Sequence, residues 1–308
     1  MDKLVSILET VLPVFLALGL GMLCRGKHLL TREGIDALKK VVLNFTLPFV
    51  LLNAFATAEY TTAALVLPAL TFLLSCVCLG LGFLIIRLFR VGSRLAPFLS
   101  AGFEAGMLGY ALFALLFPQE SLSKFALPDI GQTLFVFTIY KILLSGKTDL
   151  KAIGKDMATT PILWAVLAGV LLGATGLYGK MTQWGVNGVL DSVTSFLSAP
   201  TAMVILLTVG YDLVPKEIPW KKTAGFIAMR LVVMAICYGL AVLLNRTLLN
   251  NVLFEGAMLL MVILPPPYVI PVFADEPEER VLISSSLSAL TLVTMILFGV
   301  LSVVMGLQ

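Results

Sequence analysis

Long apolar windows alternate along the chain with short charged or turn-rich stretches, and this alternation predicts ten helices that cross a membrane. A helix needs roughly 20 predominantly apolar residues to cross the hydrocarbon core. The predicted helices, called spans one to ten, run over 4–24, 36–57, 62–87, 95–117, 126–145, 159–178, 190–213, 223–245, 252–273 and 281–305. Because they use nearly the whole chain, we predict a single all-α integral membrane domain over 1–308.

The composition supports this fold class and argues against an enzyme. Only 13% of the residues are charged and 59% are hydrophobic, whereas an ordinary soluble domain carries about 25% charged residues. An active site needs a nucleophile with a base, or a metal cluster. The chain has one histidine, His28, and its four cysteines lie in or beside apolar windows. We therefore expect no catalytic residues, no metal site, no cofactor and no nucleic-acid partner.

Basic residues are distributed unevenly between the two sets of loops. The loops after odd-numbered spans hold most of the lysines and arginines, among them Arg25, Lys27, Arg87, Arg90 and Arg94. Cytoplasmic loops of membrane proteins carry an excess of Lys and Arg. We therefore expect these loops in the cytoplasm and both chain termini on the outer side of the plasma membrane.

Span nine contains a run of prolines, LPPPYVIP at 264–271. Proline removes a backbone donor and clashes with the preceding turn, so no continuous helix can pass through this run. Broken backbone at membrane depth is tolerated only where protein buries it or where it lines a wet cavity. Many secondary transporters build their binding sites from such broken helices. The run therefore predicts the central binding site of a transporter.

The two halves of the chain, 1–150 and 151–308, resemble each other weakly. The matched segments are PVFLA at 13–17 with PILWA at 161–165, and NFTLP at 44–48 with FLSAP at 196–200. Because each half holds an odd number of spans, the halves would lie in the membrane with opposite orientations, as an inverted repeat. The alternative is chance similarity, since proline with apolar neighbours recurs in membrane proteins.

Span four carries an acidic residue among glycines. Gly102, Gly106 and Gly109 each cost a helix about 1 kcal/mol relative to alanine, which predicts a break that pairs with the one in span nine. Close helix packing is the other use of such glycines. Glu104 lies between them, and a central acidic residue costs roughly 2.5–3.5 kcal/mol unless it faces a cavity or a partner. We expect Glu104 to face the solute and carry a coupling proton; the alternative is a structural hydrogen bond to the broken backbone.

Other polar side chains in the spans are weaker candidates. Asn53 of span two and Gln132 of span five are expected to line the cavity, although such amides also join helices by hydrogen bonds. Tyr268 follows the prolines and presents a ring and a hydroxyl at the break. Lys141 and Arg230 are expected to snorkel toward the cytoplasmic interface, with an anion-binding role for Arg230 as the alternative.

Four segments together carry a resemblance to a known family: VLNFTLP at 42–48, GMLG at 106–109, LLTVGYDL at 206–213 and LPPP at 264–267. By their order and spacing, the chain resembles the auxin efflux carrier family over essentially its full length, and bacterial malate or malonate permeases in particular. The resemblance implies ten helices in two inverted five-helix repeats, with spans four and nine broken and crossing beside a solute site. It also implies small organic anions as substrates.

Two positions depart from the usual pattern of that family. Glu104 and Ile270 stand where relatives tend to carry asparagines. Because an ionised Glu104 repels a carboxylate, either it is protonated when an anion binds, or the solute is neutral, zwitterionic or cationic. The residues expected to bind the solute are Glu104, Gly106, Met107, Pro266, Pro267, Tyr268, Ile270, Asn53 and Gln132.

These observations together predict a secondary active transporter for a small organic solute, with an organic anion as the first candidate class. It would work by alternating access at the crossing of spans four and nine. Protons, through Glu104, or sodium are the expected coupling ions. An uncoupled uniporter or channel-like carrier would use the same site and is the alternative. The lipid bilayer is the expected surrounding, and a homodimer stays open as the oligomeric state.

Overall fold

The computed structural model describes residues 2–61, 65–146 and 159–307, and every regular element within these ranges is helical. The first part contains α1 (Asp2–Gly26), α2 (Arg32–Val41), α3 (Leu47–Ala56), α4 (Val66–Leu88), α5 (Tyr110–Leu116), α6 (Ser123–Phe135) and α7 (Lys141–Ser145). One-turn π-helices at Val42–Thr46 and Val136–Tyr140 make α2–α3 and α6–α7 continuous. The predicted start of span three at 62 and the boundary between the halves at 150 lie outside the described residues.

The second part continues with seven helices. They are α8 (Pro161–Ala174), α9 (Leu177–Gln183), α10 (Asn187–Ser198), α11 (Thr201–Asp212), α12 (Trp220–Thr247), α13 (Glu255–Ile263) and α14 (Pro277–Leu307). Prolines stand at the first position of α8 and α14, where the missing N–H has no helical partner to lose. Two short 3-10 helices, Pro215–Glu217 and Ile270–Phe273, lie between the longer elements.

Seven helical stretches of the described residues are long and apolar enough to cross a membrane. They are Ile7–Gly26, Val66–Leu88, Ala96–Leu116, Ser123–Ser145, Asn187–Glu217, Trp220–Thr247 and Pro277–Met305. An eighth results if α8 and α9, which meet at a 64° bend, count as one span. The structure is therefore that of an all-helical protein with many membrane-spanning candidates, whereas the count of ten spans stays a prediction.

Helices α1 and α11, which are far apart along the chain, pack closely through glycines. A side chain at Gly21 of α1 would place its Cβ atom 2.1 Å from the carbonyl oxygen of Leu207, and one at Gly210 of α11 would lie 2.2 Å from that of Leu18. Small residues at such contacts let two helix backbones approach each other, which is how membrane helices commonly associate. The first predicted span is thus packed on the seventh.

The same kind of contact joins α3 to α8, the second predicted span to the sixth. A Cβ atom at Gly169 would lie 2.7 Å from the Cβ atom of Phe55, and one at Gly173 would lie 2.5 Å from its carbonyl oxygen. The four helices α1, α3, α8 and α11, with α2 and α10 attached, are called the outer group. The remaining helices apart from α9, namely α4–α7 and α12–α14, are called the inner group.

Candidate functional site

The helix of span four is interrupted where the glycines predicted a break. A 3-10 helix covers Ala96–Ser100, extended backbone follows, and a π-helical turn at Ala105–Gly109 leads into α5. Gly102 adopts a φ of +71°, a left-handed conformation that strains other residues. A Cβ atom there would also lie 2.9 Å from the ring of Pro267. Glycine therefore permits both the turn and its contact with the second break.

Span nine is interrupted at the proline run. Helix α13 ends at Ile263, and helical structure resumes only at Ile270. Because Pro265, Pro266 and Pro267 have no N–H group, nearby carbonyls must find donors elsewhere. The backbone N–H of Glu104 donates to the carbonyl of Pro265 at 2.9 Å, which joins the two breaks directly.

Glu104 binds both broken segments through its carboxylate. Oε1 accepts the backbone N–H of Met107 at 3.3 Å, and Oε2 accepts that of Tyr268 at 2.8 Å. Met107 belongs to the π-helical turn before α5, whereas Tyr268 lies two residues before the 3-10 helix Ile270–Phe273. A negative charge at the start of a helix is stabilised by the unpaired N–H groups there. This geometry is the structural hydrogen bonding that was the alternative to direct solute contact.

The place where the two breaks, 101–104 and 264–269, meet is called the joint. Arg230 of α12 supplies a positive charge to it. The prediction that it snorkels to the interface is wrong, because the side chain is only 2% exposed. Its guanidinium donates to the carbonyls of Leu99 at 2.9 Å, Gly102 at 2.9 Å and Leu264 at 2.8 Å. Leu99 and Leu264 lie where short helices end, and terminal carbonyls have no helical partner and favour a cation. Arg230 therefore neutralises the C-terminal ends that the breaks create.

A cavity of about 370 Å³ lies on one side of the joint and is called the apolar cavity. Four residues expected at the solute site line it: Glu104, Gly106, Gln132 and Pro267. Most of the wall is apolar, and the side chains of the outer group that form it are Leu47, Leu51, Phe55, Ile162, Leu163 and Val166. Lys141, at the start of α7, and Thr160, directly before α8, also line this cavity.

Asp129 of α6 lies in the wall of the apolar cavity and is 7% exposed. Its Oδ2 accepts the hydroxyl of Tyr110 at 2.8 Å, and its Oδ1 lies 3.4 Å from Nε2 of Gln132. The same amide nitrogen donates to the carbonyl of Phe103 at 2.7 Å, within the first break. Asp129 was not among the residues expected at the site, because it lies near the start of predicted span five, where an acidic group costs less than at the centre of a span.

A second cavity of about 310 Å³ lies on the other side of the joint and is called the polar cavity. Met107 and Tyr268, both expected at the solute site, line it. Asp212 of α11 forms ion pairs there with Arg32 and Lys39 of α2. The remaining polar groups in the wall are hydroxyls, and those of α14 are Ser284, Ser288 and Thr291. The polar cavity is therefore rich in donors.

The three other residues expected at the solute site line neither cavity. Pro266 and Ile270 are buried within the second break, and Asn53 is exposed on α3. Ile270 is fully buried in the core. The structure thus divides the expected site between two cavities, with Glu104 bonded across the wall that separates them.

Comparison with known proteins gives two archaeal relatives, and no known protein-family model matches the chain. A protein of Methanothermobacter thermautotrophicus named as an uncharacterized transporter is 26% identical over 212 residues, which cover 67% of each chain. A second uncharacterized transporter, from Methanocaldococcus jannaschii, is 26% identical over 268 residues, or 82% of this chain and 85% of the relative. The chain is therefore similar over most of its length to proteins named as transporters, while the resemblance to auxin efflux carriers stays a prediction.

Proposed function

We propose that the chain is a secondary active transporter that moves a small organic solute by alternating access around the two joined breaks. The observation that carries this proposal is the arrangement of the breaks, which meet inside the protein with a cavity on either side. Interrupted backbone at membrane depth is tolerated where it is buried or lines a cavity. The names of the two archaeal relatives support transport in general.

The proposed motion is a displacement of the inner group against the outer group. Both cavities lie between these groups: α3 and α8 face α6 across the apolar cavity, and α2 and α11 face α14 across the polar one. The contacts of span one with span seven, and of span two with span six, support an inverted repeat. In such a repeat span six is the counterpart of span one and span seven that of span two, so the two contacts are equivalent.

Glu104 is proposed to couple protons to this motion through the joint itself. Its ionised carboxylate accepts two backbone N–H bonds, one from each broken segment. Protonation removes the charge that strengthens both bonds, so the contact between the segments weakens when a proton binds. Proton binding and relative movement of the breaks are then linked without direct contact between Glu104 and the solute. Sodium is the alternative coupling ion.

An organic anion is the first candidate solute, since the resemblance implies that class. Its proposed position is the polar cavity, where Lys39, Arg32 and the α14 hydroxyls can donate hydrogen bonds to a carboxylate. A neutral, zwitterionic or cationic solute is the second candidate. The specific observation in its favour is the apolar cavity, whose polar groups include the carboxylates of Glu104 and Asp129.

Uptake into proteoliposomes under an imposed pH gradient tests this proposal. Radiolabelled malate and leucine serve as probes of the two classes, and wild type should accumulate at least one of them when a proton gradient is applied. Glu104→Gln should keep flux down the solute's own gradient but lose the acceleration by protons. Glu9→Gln, which changes an exposed carboxyl of α1, is the matched control.

Each outcome of the uptake experiment has a defined meaning. An unchanged response of Glu104→Gln to the proton gradient would reject coupling through this residue. Flux that only ever follows the solute's own gradient would replace the coupled transporter with the uniporter alternative. Absence of protein-dependent flux for every solute that binds the purified protein would reject transport altogether.

A further inference from the structure

We propose that the apolar cavity binds the ammonium group of a small organic amine, held by the Asp129 carboxylate and the side-chain oxygen of Gln132. This inference rests on the proposed transport function and deepens its second candidate solute class. It follows from the hydrogen-bonding state of Gln132, the charge of Asp129 and the composition of the cavity wall.

Gln132 carries a buried acceptor that has no partner. The side chain is 4% exposed, and its Oε1 makes no hydrogen bond. The amide orientation is fixed, because the nitrogen lies 2.7 Å from the Phe103 carbonyl and 3.4 Å from Asp129, both acceptors. Exchanging the two amide atoms would place oxygen against oxygen. Among the described residues, Thr46 and Thr201 also have unpartnered buried hydroxyls, but neither lines the apolar or the polar cavity.

Asp129 adds a negative charge next to this acceptor. Asp129, Gln132 and Thr133 lie three and four residues apart on α6, which places them on one face of the helix. All three line the cavity. The contacts to Tyr110, Gln132 and Thr133 use three of the roughly four acceptor positions of the carboxylate, which leaves one for a further donor. An ammonium group has three donors and no acceptor, so it matches both the charge and the unpartnered oxygen.

The rest of the wall favours an organic amine over a bare metal ion. Ions such as Ca²⁺ and Mg²⁺ are held by six or more oxygen ligands in a compact shell, and the described residues contain no cluster of three acidic, histidine or cysteine side chains that could hold a metal. The cavity is instead large, at about 370 Å³, and mostly apolar. Leu51, Phe55 and Val166 can pack against the carbon skeleton of a solute whose amine reaches Asp129.

Lys141, the one lysine of this wall among the residues that the structure describes, lies far from Asp129 along the helix. Lys141 follows Asp129 by twelve residues along α6, the π-helical turn and α7, which corresponds to about 18 Å along a helix axis. Glu104 faces the same cavity, but its two oxygens bind the backbone of the two broken segments, whereas Asp129 lies beside the amide of Gln132, whose oxygen has no partner. Asp129 therefore provides the carboxylate whose charge is directed to an incoming cation.

Calorimetric titration of the purified full chain in nanodiscs tests this inference with three probes of nearly equal shape. Isobutylamine presents an ammonium group, isobutanol a hydroxyl and isobutyrate a carboxylate. We expect isobutylamine to bind most tightly and isobutyrate not to compete with it. Asp129→Asn should weaken isobutylamine binding by about tenfold or more, because a charge-assisted hydrogen bond is lost.

Asp191→Asn is the matched control for this variant. Asp191 also accepts a tyrosine hydroxyl, from Tyr178 at 2.9 Å, and a side-chain amide, from Asn187 at 3.0 Å. It lines neither the apolar nor the polar cavity, so its substitution should leave isobutylamine binding unchanged. If Asp129→Asn fails to fold, the order of the three probes on wild type still decides the question.

Several results would overturn the inference. These are no binding of isobutylamine, equal or tighter binding of isobutyrate, or equal weakening by both asparagine variants. Binding of sodium chloride that depends on Asp129, without amine binding, would assign the site to a bare ion. Amine binding without uptake into proteoliposomes would reject the proposed transport function but support the amine site. Uptake of another solute without amine binding would support transport but reject the amine site.

Discussion

Substitution of Arg230 offers the sharpest check on how the joint is held together. Arg230→Met keeps much of the side-chain volume but removes every donor to the carbonyls of Leu99, Gly102 and Leu264. A buried carbonyl left unpaired costs about 1–3 kcal/mol, so three of them cost about 3–9 kcal/mol. Relief of the buried cation's own desolvation offsets several kcal/mol of this. We therefore expect the free energy of unfolding to fall, by up to about 5 kcal/mol.

The measurement is reversible unfolding of the purified protein in mixed micelles with increasing SDS, followed by circular dichroism. Arg246→Met is the control, since Arg246 lies on the same helix and pairs with Glu255 at 2.8 Å, but at the exposed surface. Exposed ion pairs contribute little, so this variant should stay close to wild type. Equal destabilisation by the two variants would refute the assignment of Arg230 to the joint.

Two further substitutions probe the helix contacts and the Asp129 cluster. Gly21→Ala should destabilise the protein, because the new Cβ atom would lie 2.1 Å from a backbone oxygen of α11. In the control Gly19→Ala the Cβ atom meets nothing within 4 Å, so this variant should be neutral or stabilising. Thermal unfolding compares the two variants, and equal melting temperatures would contradict the packing. Tyr110→Phe removes the buried hydroxyl bonded to Asp129 and should lower the free energy of unfolding by about 1.5–3 kcal/mol. Tyr178→Phe, at the more exposed Asp191, should cost less in the same SDS titration, and the opposite order would argue against a buried charged acceptor.

The two breaks could be predicted from the sequence, because proline and glycine restrict or extend the backbone conformation whatever surrounds them. The prolines at 265–267 cannot continue a helix whatever surrounds them, and Gly102 can adopt the positive φ that the first break requires. Asp129 gave a weaker signal than Glu104, because it lies near the start of its predicted span, whereas Glu104 lies well inside span four.

Contacts between distant helices could not be predicted in the same way. Arg230 was expected at the interface because nothing in its own span shows that three carbonyls from two other segments meet it. Asn53 was expected in the cavity but is exposed. Lipid chains are as apolar as a protein core, so the apolar pattern of a span does not reveal which face turns inward.

The joint also has a consequence for how the chain matures during synthesis. Glu104 meets Tyr268, and Arg230 meets Leu99, across 164 and 131 residues of sequence. While only the first part of the chain has been made, the carbonyls of Leu99 and Gly102 have no guanidinium to bind, and Glu104 has one of its two backbone donors. The first break therefore reaches its final conformation only after α12 and the proline run have been inserted, so biogenesis must hold an unfinished, polar segment within the membrane until the second half arrives.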